Sequence, residues 1–264
     1  MKRALVCLVS AIVAVGLVLG MGYVSSQRLS VEEYRFDVGL GGSFRVAHLT
    51  DLHFPKLGVE EGEILSAVRS SVPDAIFLTG DVFDTTATKE DLKSVGDFFS
   101  RLRAIAPTYA VIGNHEIGSP LYEDYRILCL TRGVDLLENR SVALRVGEKE
   151  VLLSGVKDAA LPSGEIARNA VSADLTILLA HRPELFSAYA ATGVSYCFCG
   201  HAHGGQVAFF GRGLYAPDQG LFPSYTSGVY RTGDSTMLVS RGLGDGKSAF
   251  RIFNSYSIII ATFF

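Results

Sequence analysis

Apolar residues fall along this chain in two rhythms after an opening of a different kind. Positions 4–24 carry 21 consecutive uncharged residues, preceded by Lys2 and Arg3. Beyond them, apolar runs at residues 44–50, 75–79, 109–112, 151–156, 175–180, 194–199 and 237–240 have strand length and little alternation, the pattern of strands buried on both faces. Between the early runs the spacing becomes helical. Residues 60–72 place Ile64, Leu65 and Val68 on one face, and residues 89–104 follow Thr88, with Asp91 three positions on as a cap. Residues 134–138, 141–146 and 150–156 predict strands joined by short turns such as Gly147-Glu148, with no helix between them. The last third is rich in glycine and strands and closes on residues 250–264. A β-α-β first half followed by meandering strands predicts an α/β domain of two packed mixed sheets with helices outside.

The opening run changes the picture of how the domain is held. A secretory core is about 7–15 residues long, whereas about 20 cross a bilayer. No A-x-A-like cleavage site occurs in residues 21–27. The expectation is an uncleaved anchor over residues 1–27, with a cleaved signal as the alternative, then a polar linker at 25–30 and one domain over 28–264. Lys2 and Arg3 tie with Arg28 and Arg35 across the span; their tight packing against it, with the α-amino group, tilts the expected orientation to a domain outside the cytoplasm. Gly16 and Gly20 form a G-x-x-x-G that reads as coincidence in a glycine-rich span.

Composition adds two exclusions. A hydrophobic content of 48% with 19% charged residues describes a globular chain, and a net charge of −3 argues against a nucleic-acid surface. No protein partner is expected. Cys7, Cys129, Cys197 and Cys199 are too few for a disulfide framework; Cys197 and Cys199 share one face of a strand and read as small core residues.

The candidate chemistry lies just past the predicted strands: Asp51-Leu52-His53, Asp81 with Asp84, Asn114-His115-Glu116, His181, and His201-Ala202-His203. Five of the six histidines are in these segments, and strand ends are where α/β sheets bind ligands. Each motif alone is weak. Their order, D-x-H, G-D-x-x-D, G-N-H-E, a lone His and G-H-x-H over roughly residues 44–254, resembles the calcineurin-like metallophosphoesterases. G-H-A-H-G-G-Q, Ser227-Gly228-Val229-Tyr230 and Ser240-Arg241-Gly242-Leu243-Gly244 resemble a bacterial branch, often exported or anchored, of phosphodiesterases and UDP-diacylglucosamine pyrophosphatases.

The resemblance implies a four-layer α/β/β/α fold and hydrolysis of a phosphate ester or anhydride. It implies one metal on Asp51, His53 and His203, a second on Asn114, His181 and His201, and Asp81 bridging them. Carboxylate, imidazole and amide donors suit Mn, Fe or Zn, and such a pair can generate a bridging hydroxide that attacks phosphorus. It further implies that His115 contacts the phosphoryl group or protonates the leaving oxygen, held by a hydrogen bond that it donates to Asp84. Glu116 is equally a supporting residue or a solvated turn acid. His48 reads as a buried, hydrogen-bonded histidine. Arg182, Arg241 and Arg251 are either phosphate contacts or ordinary surface arginines, and Tyr215, Tyr225 and Tyr230 line a groove or pack. Asn254-Ser255-Tyr256-Ser257-Ile258 departs from the branch's Asn-x-Pro-Glu-Ile ending, and Phe54-Pro55 stands where a small residue is common; both bear on substrate fit. The substrate is a phosphate ester, possibly lipid-linked in an anchored enzyme. A weakly catalytic, membrane-bound interaction module is the rival; an amidohydrolase is disfavoured because its H-x-H is replaced by D-x-H, and a serine hydrolase because no G-x-S-x-G occurs.

Overall fold

Two mixed sheets stack face to face, in a computed structural model that describes residues 2–264 except 165, 167–172, 210 and 247–249. A long helix, α1 (Lys2–Ser26), precedes β1 (Leu29–Phe36) and β2 (Phe44–Leu49). Then α2 (Glu61–Ser70), β3 (Ala75–Thr79), α3 (Lys89–Arg103), β4 (Thr108–Val111), α4 (Asn114–Ile117), α5 (Tyr122–Arg132) and β5 (Asp135–Leu136) alternate. The second half runs through β6 (Arg140–Val146), β7 (Lys149–Gly155), β8 (Leu175–Leu179), α6 (Phe186–Ala190) and β9 (Tyr196–Cys199). It continues with two small hairpins, β10 (Ala208–Phe209) with β11 (Arg212–Gly213) and β12 (Tyr215–Ala216) with β13 (Gly220–Leu221). The chain ends with β14 (Gly228–Thr232), β15 (Ser235–Val239) and β16 (Tyr256–Phe263).

The first sheet has the order β1-β16-β2-β3-β4-β5 and the second β14-β15-β9-β8-β7-β6. Between them, Val46, Phe77 and Ile259 of one sheet meet Leu153, Ile177 and Phe198 of the other in a single apolar layer. The outer face of the first sheet is covered by Ile64, Leu65 and Val68 of α2, by Val95, Phe98 and Phe99 of α3, and by Tyr125 and Cys129 of α5. The outer face of the second carries Leu178, Cys197, Cys199, Met237 and Val239 against Phe186 and Tyr189 of α6. Four layers result, as expected, and Cys197 and Cys199 are the packing residues their pattern suggested.

Strands β2, β3 and β4 run parallel, as do β7, β8, β9 and β15, so their carboxyl ends gather at one edge. Because β16 is antiparallel to β2, its beginning meets that same edge and brings Arg251 and Asn254 with it.

Three elements depart from the sequence pattern. The linker expected at 25–30 shrinks to Gln27 and Arg28: the Ser25 and Ser26 hydroxyls donate back to the Gly22 carbonyl at 2.9 and 2.8 Å and carry α1 through to Ser26. Strand β1 was hidden because its burial alternates around polar Glu32 and Glu33, and it is recognisable only through its parallel pairing with β16. Helix α5 fully buries only Tyr125 and Cys129, a face too narrow to give a helical period.

The α3 start does follow its signal: Thr88 Oγ1 accepts the Asp91 N–H, and Asp91 accepts the Thr88 N–H at 2.7 Å. Replacing Thr88 with Ala is expected to lower stability by about 1 kcal/mol, read as an earlier denaturant midpoint with unchanged slope.

Candidate metal centre

Glycine makes the close approach of the strand ends possible at two positions. A Cβ on Gly80, which has φ +91°, would lie 2.6 Å from the Gly113 nitrogen and 2.8 Å from His181 Nδ1. A Cβ on Gly113 would lie 2.8 Å from the Asp81 nitrogen and 2.9 Å from His181 Nε2. Several functional side chains are themselves carried on left-handed backbone: Asp51 (φ 49°), His53 (49°), Asp81 (51°), His201 (64°) and His203 (47°). Such conformations cost roughly 1–3 kcal/mol each for non-glycine residues and persist where the surroundings over-determine them.

Glu116 supplies much of that determination. It is fully buried, and its carboxylate accepts N–H groups from Asp81 (2.9 Å), Val82 (2.6 Å) and Gly113 (2.7 Å). Burial pushes its carboxyl up to about 7, Asp81's charge adds to this, and the N–H donors oppose it. It is a structural clamp, not a solvated turn acid.

The chain brings all seven expected ligand residues together. Asp81 Oδ1 accepts the His115 N–H at 2.9 Å, which leaves Oδ2 for the cluster. That single oxygen lies 3.2 Å from His181 Nε2 and 3.9 Å from His53 Nε2. On one side of it, His53 Nε2 and His203 Nε2 are 3.3 Å apart, with Asp51 Oδ1 3.6 Å from the latter. On the other, His181 Nε2 faces His201 Nδ1 at 3.1 Å and Asn114 Oδ1 at 3.2 Å.

Second contacts fix which ring nitrogen faces inward. His181 Nδ1 donates to the Thr79 carbonyl at 2.7 Å, and His201 Nε2 to Asp218 at 2.9 Å. Both leave the opposite nitrogen directed at the cluster, the arrangement by which metal-binding histidines are oriented. Asp51 receives the His201 N–H at 3.1 and 3.0 Å on its two oxygens.

Burial lowers His53 and His201 to about 4 and His203 further, so these three rings are neutral at pH 7. Burial also opposes a charge on His181, but the Asp81 carboxylate outweighs it and raises His181 to about 10. Desolvation pushes Asp51 up to about 7. Neutral imidazoles with lone pairs aimed at one another and at buried carboxylates form a poor hydrogen-bond network. They are a good donor set for first-row transition cations, and the residues fit the metals that the motifs imply.

The hydrogen bond expected between Asp84 and His115 is not formed. Asp84 Oδ2 lies 3.7 Å from His115 Nδ1, and that nitrogen instead accepts the Thr85 N–H at 3.2 Å. Asp84 is engaged elsewhere, by Lys56 at 3.2 Å and by the Thr86 N–H and hydroxyl at 2.9 and 2.6 Å. With Nδ1 accepting, the neutral ring carries its proton on Nε2, 3.9 Å from Asp81 Oδ2.

A cavity of about 480 Å³ opens over the cluster, lined by Asp81, Asn114, His115, His201, His203 and Arg251 together with Gln206, Tyr215, Pro217, Asp218 and Gly246. Arg251 is buried rather than on the surface, donating to the carbonyls of Gly244 and Arg241 at 2.9 Å each and lying 4.3 Å from the Tyr256 ring centre. Arg182 is bonded to Asp158 and Asp218, which ties the support of His201 into an ionic network. Arg241 bonds Ser255. Tyr225 and Tyr230 pack edge to face, and only Tyr215 of the three tyrosines lines the cavity. His48 is buried on Thr79 at 2.7 Å, as expected. Gln206 closes the G-H-A-H-G-G-Q motif, whereas Asp218 carried no sequence signal of its own, since it stands in the hairpin stretch that only the fold places at the site.

The sequence of the calcineurin-like phosphoesterase family matches residues 44–205. The chain is 28% identical over 228 residues to the metallophosphoesterase YkuE of Bacillus subtilis strain 168, covering 83% of this chain and 78% of that protein. It is 28% identical over 212 residues to the phosphodiesterase YaeI of Escherichia coli K12, covering 76% of this chain and 75% of that one. The fold is also that of GAP50, an anchor in the inner membrane complex of Plasmodium, with a TM-score of 0.53, 12% identity, and coverage of 84% and 81%. With the family match spanning more than half of its length and each motif of that family present at the strand ends, the chain belongs to the calcineurin-like phosphoesterases and is a metal-dependent phosphoester hydrolase.

Proposed function

We propose that the chain hydrolyses phosphodiesters with two divalent transition-metal ions, on a domain held to a membrane by α1 and facing away from the cytoplasm. The observation that carries the dinuclear reading is Asp81 Oδ2, one carboxylate oxygen within reach of His53 on one side and His181 on the other. Asp51, His53 and His203 would hold one ion; Asn114, His181 and His201 the second; Asp81 would touch both. When bound, such ions neutralise phosphoryl oxygens and acidify water near neutral pH. The diester preference draws on the likeness to the phosphodiesterase YaeI. The anchor reading draws on a 22-residue segment, Leu5–Ser26, with mean hydropathy 2.6 and almost no burial.

The chain's own residues divide the remaining work. His115 accepts the Thr85 N–H on Nδ1 and presents Nε2–H to the cavity. A donor so placed serves the phosphoryl oxygens by hydrogen bonding. Arg251 adds buried positive charge at the cavity wall. Asp218 and the Thr79 carbonyl hold two of the ligand rings in place.

Three outcomes follow. Asp81→Asn should deplete both metals and abolish activity, whereas His203→Ala should lose mainly one, read by elemental analysis of purified protein; a single metal per active chain contradicts the dinuclear reading. In the metal-free protein His181 holds a proton at pH 7 and Asp51 about half of one, and both must leave before their atoms can bind a cation. Loading should accordingly release protons, and affinity should rise with pH from below 7 towards 10. Calorimetry in buffers of different ionisation enthalpy checks the release, and a pH-independent affinity contradicts it. His115→Ala should keep both metals and lose about 10²–10³-fold in rate, by the same factor for nitrophenyl and poorer leaving groups and on diesters above monoesters. A loss that shrinks with better leaving groups would instead make His115 the acid.

A further inference from the structure

The end of the apolar helix packs on residues 252–254, whose Asn254 bonds two residues of the catalytic cavity, and its length fixes how deep that junction lies. About 20 residues at 1.5 Å each fill a hydrocarbon core of about 30 Å. The mainly apolar run of α1, positions 4–24, is 21 residues, so crossing a bilayer uses all of it. Gly22, two residues from its end, then lies within one helical turn of the hydrocarbon boundary.

Gly22 is already in contact with the domain. Its carbonyl accepts the Phe253 N–H at 3.0 Å, and a Cβ there would meet Ile252 Cγ2 at 2.6 Å and Phe253 Cε2 at 2.8 Å. Four residues on, buried Ser26 accepts the Asn254 N–H at 2.9 Å. Only Gln27 and Arg28 separate α1 from β1, so no slack lets the domain drift from the surface. The Phe253 ring, 42% exposed, lies beside that of Phe209, 40% exposed, with centres 6.3 Å apart. Both belong to one stretch of backbone contacts, since the Ala208 N–H donates to the Ile252 carbonyl at 2.9 Å. Two exposed phenylalanines where a span leaves the bilayer have the chemistry of the apolar part of a membrane interface.

We propose that Phe209 and Phe253 form a docking face for the lipid bilayer that α1 crosses, so that the domain lies on the membrane instead of hanging from it. The proposal rests on the reading of α1 as a membrane span, and its occupant is the bilayer surface continuous with that helix. It also fixes the cavity. Asn254, next to Phe253, donates through Nδ2 to the carbonyls of His203 at 2.7 Å and Gln206 at 3.1 Å, both cavity residues. The His203 side of the metal centre is thereby held beside the headgroup layer.

The chain contains no tryptophan, which gives a clean reporter. Full-length protein would be reconstituted in phosphatidylcholine vesicles as four variants: Phe209→Trp, Phe253→Trp, Val13→Trp in mid-span, and Leu130→Trp on the exposed side of α5. Circular dichroism would confirm the fold of each, and Phe209→Trp alone decides if Phe253→Trp does not fold. Lipids brominated near the carboxyl end of the acyl chain should quench Phe209→Trp and Phe253→Trp and blue-shift them, lipids brominated deeper should quench Val13→Trp, and Leu130→Trp should respond only to aqueous quencher. Quenching of Val13→Trp with Phe209→Trp and Phe253→Trp emitting as in water would overturn the docking face while leaving the span intact. A water-exposed Val13→Trp would overturn the span and the docking face with it. Equal lipid quenching of Leu130→Trp and Phe209→Trp would also overturn the proposed face.

Discussion

The buried carboxylate of Glu116 is the constraint on which the metal centre depends. It gathers N–H groups from the turn after β3 and the turn after β4, which leave neighbouring parallel strands side by side, and fixes the two turns against each other. With those turns fixed, the Asp81 backbone is held in a left-handed conformation and its side chain has one free direction. The His115 N–H takes Oδ1, and Oδ2 is left at the centre of the cluster. A carboxyl group that accepts several backbone N–H groups holds the turns firmly, and here it acts without lining the cavity.

The electrostatics of the site follow from its dryness. Burial is the main cause that keeps His53, His201 and His203 neutral, and chiefly the proximity of Asp81 raises His181. Buried carboxylates and histidines crowded at 3–4 Å are costly as a bare polar network and become favourable around cations. The supporting bonds, from His181 to the Thr79 carbonyl and from His201 to Asp218, serve the same end by setting which ring nitrogen faces the cluster.

Asn254 plays a comparable joining role at the same edge, just before β16. It takes the last turn of α1 on its backbone and the His203 loop on its side chain, so the apolar helix and the site share one residue. This junction exists because β16 runs against β2 and starts at the edge where the parallel strands finish.

The sequence by itself determined the elements whose signals are local. Apolar runs gave the buried strands, helical spacing and the Thr88 cap gave α2 and α3, and the ordered Asp, Asn and His motifs marked the residues that now meet in the centre. What only the tertiary structure decided were matters of who faces whom. Strand β1 needed β16 to be a strand at all. Glu116 could not be told from a solvated acid until the turns around it closed. Arg251 looked like a surface arginine until Tyr256 and the Gly244 carbonyl enclosed it, and the expected Asp84–His115 bond gave way because Lys56, Thr86 and Thr85 are nearer partners. Burial and hydrogen-bond partners are set by contacts between residues far apart in the chain, and a pattern of neighbours along it does not contain them.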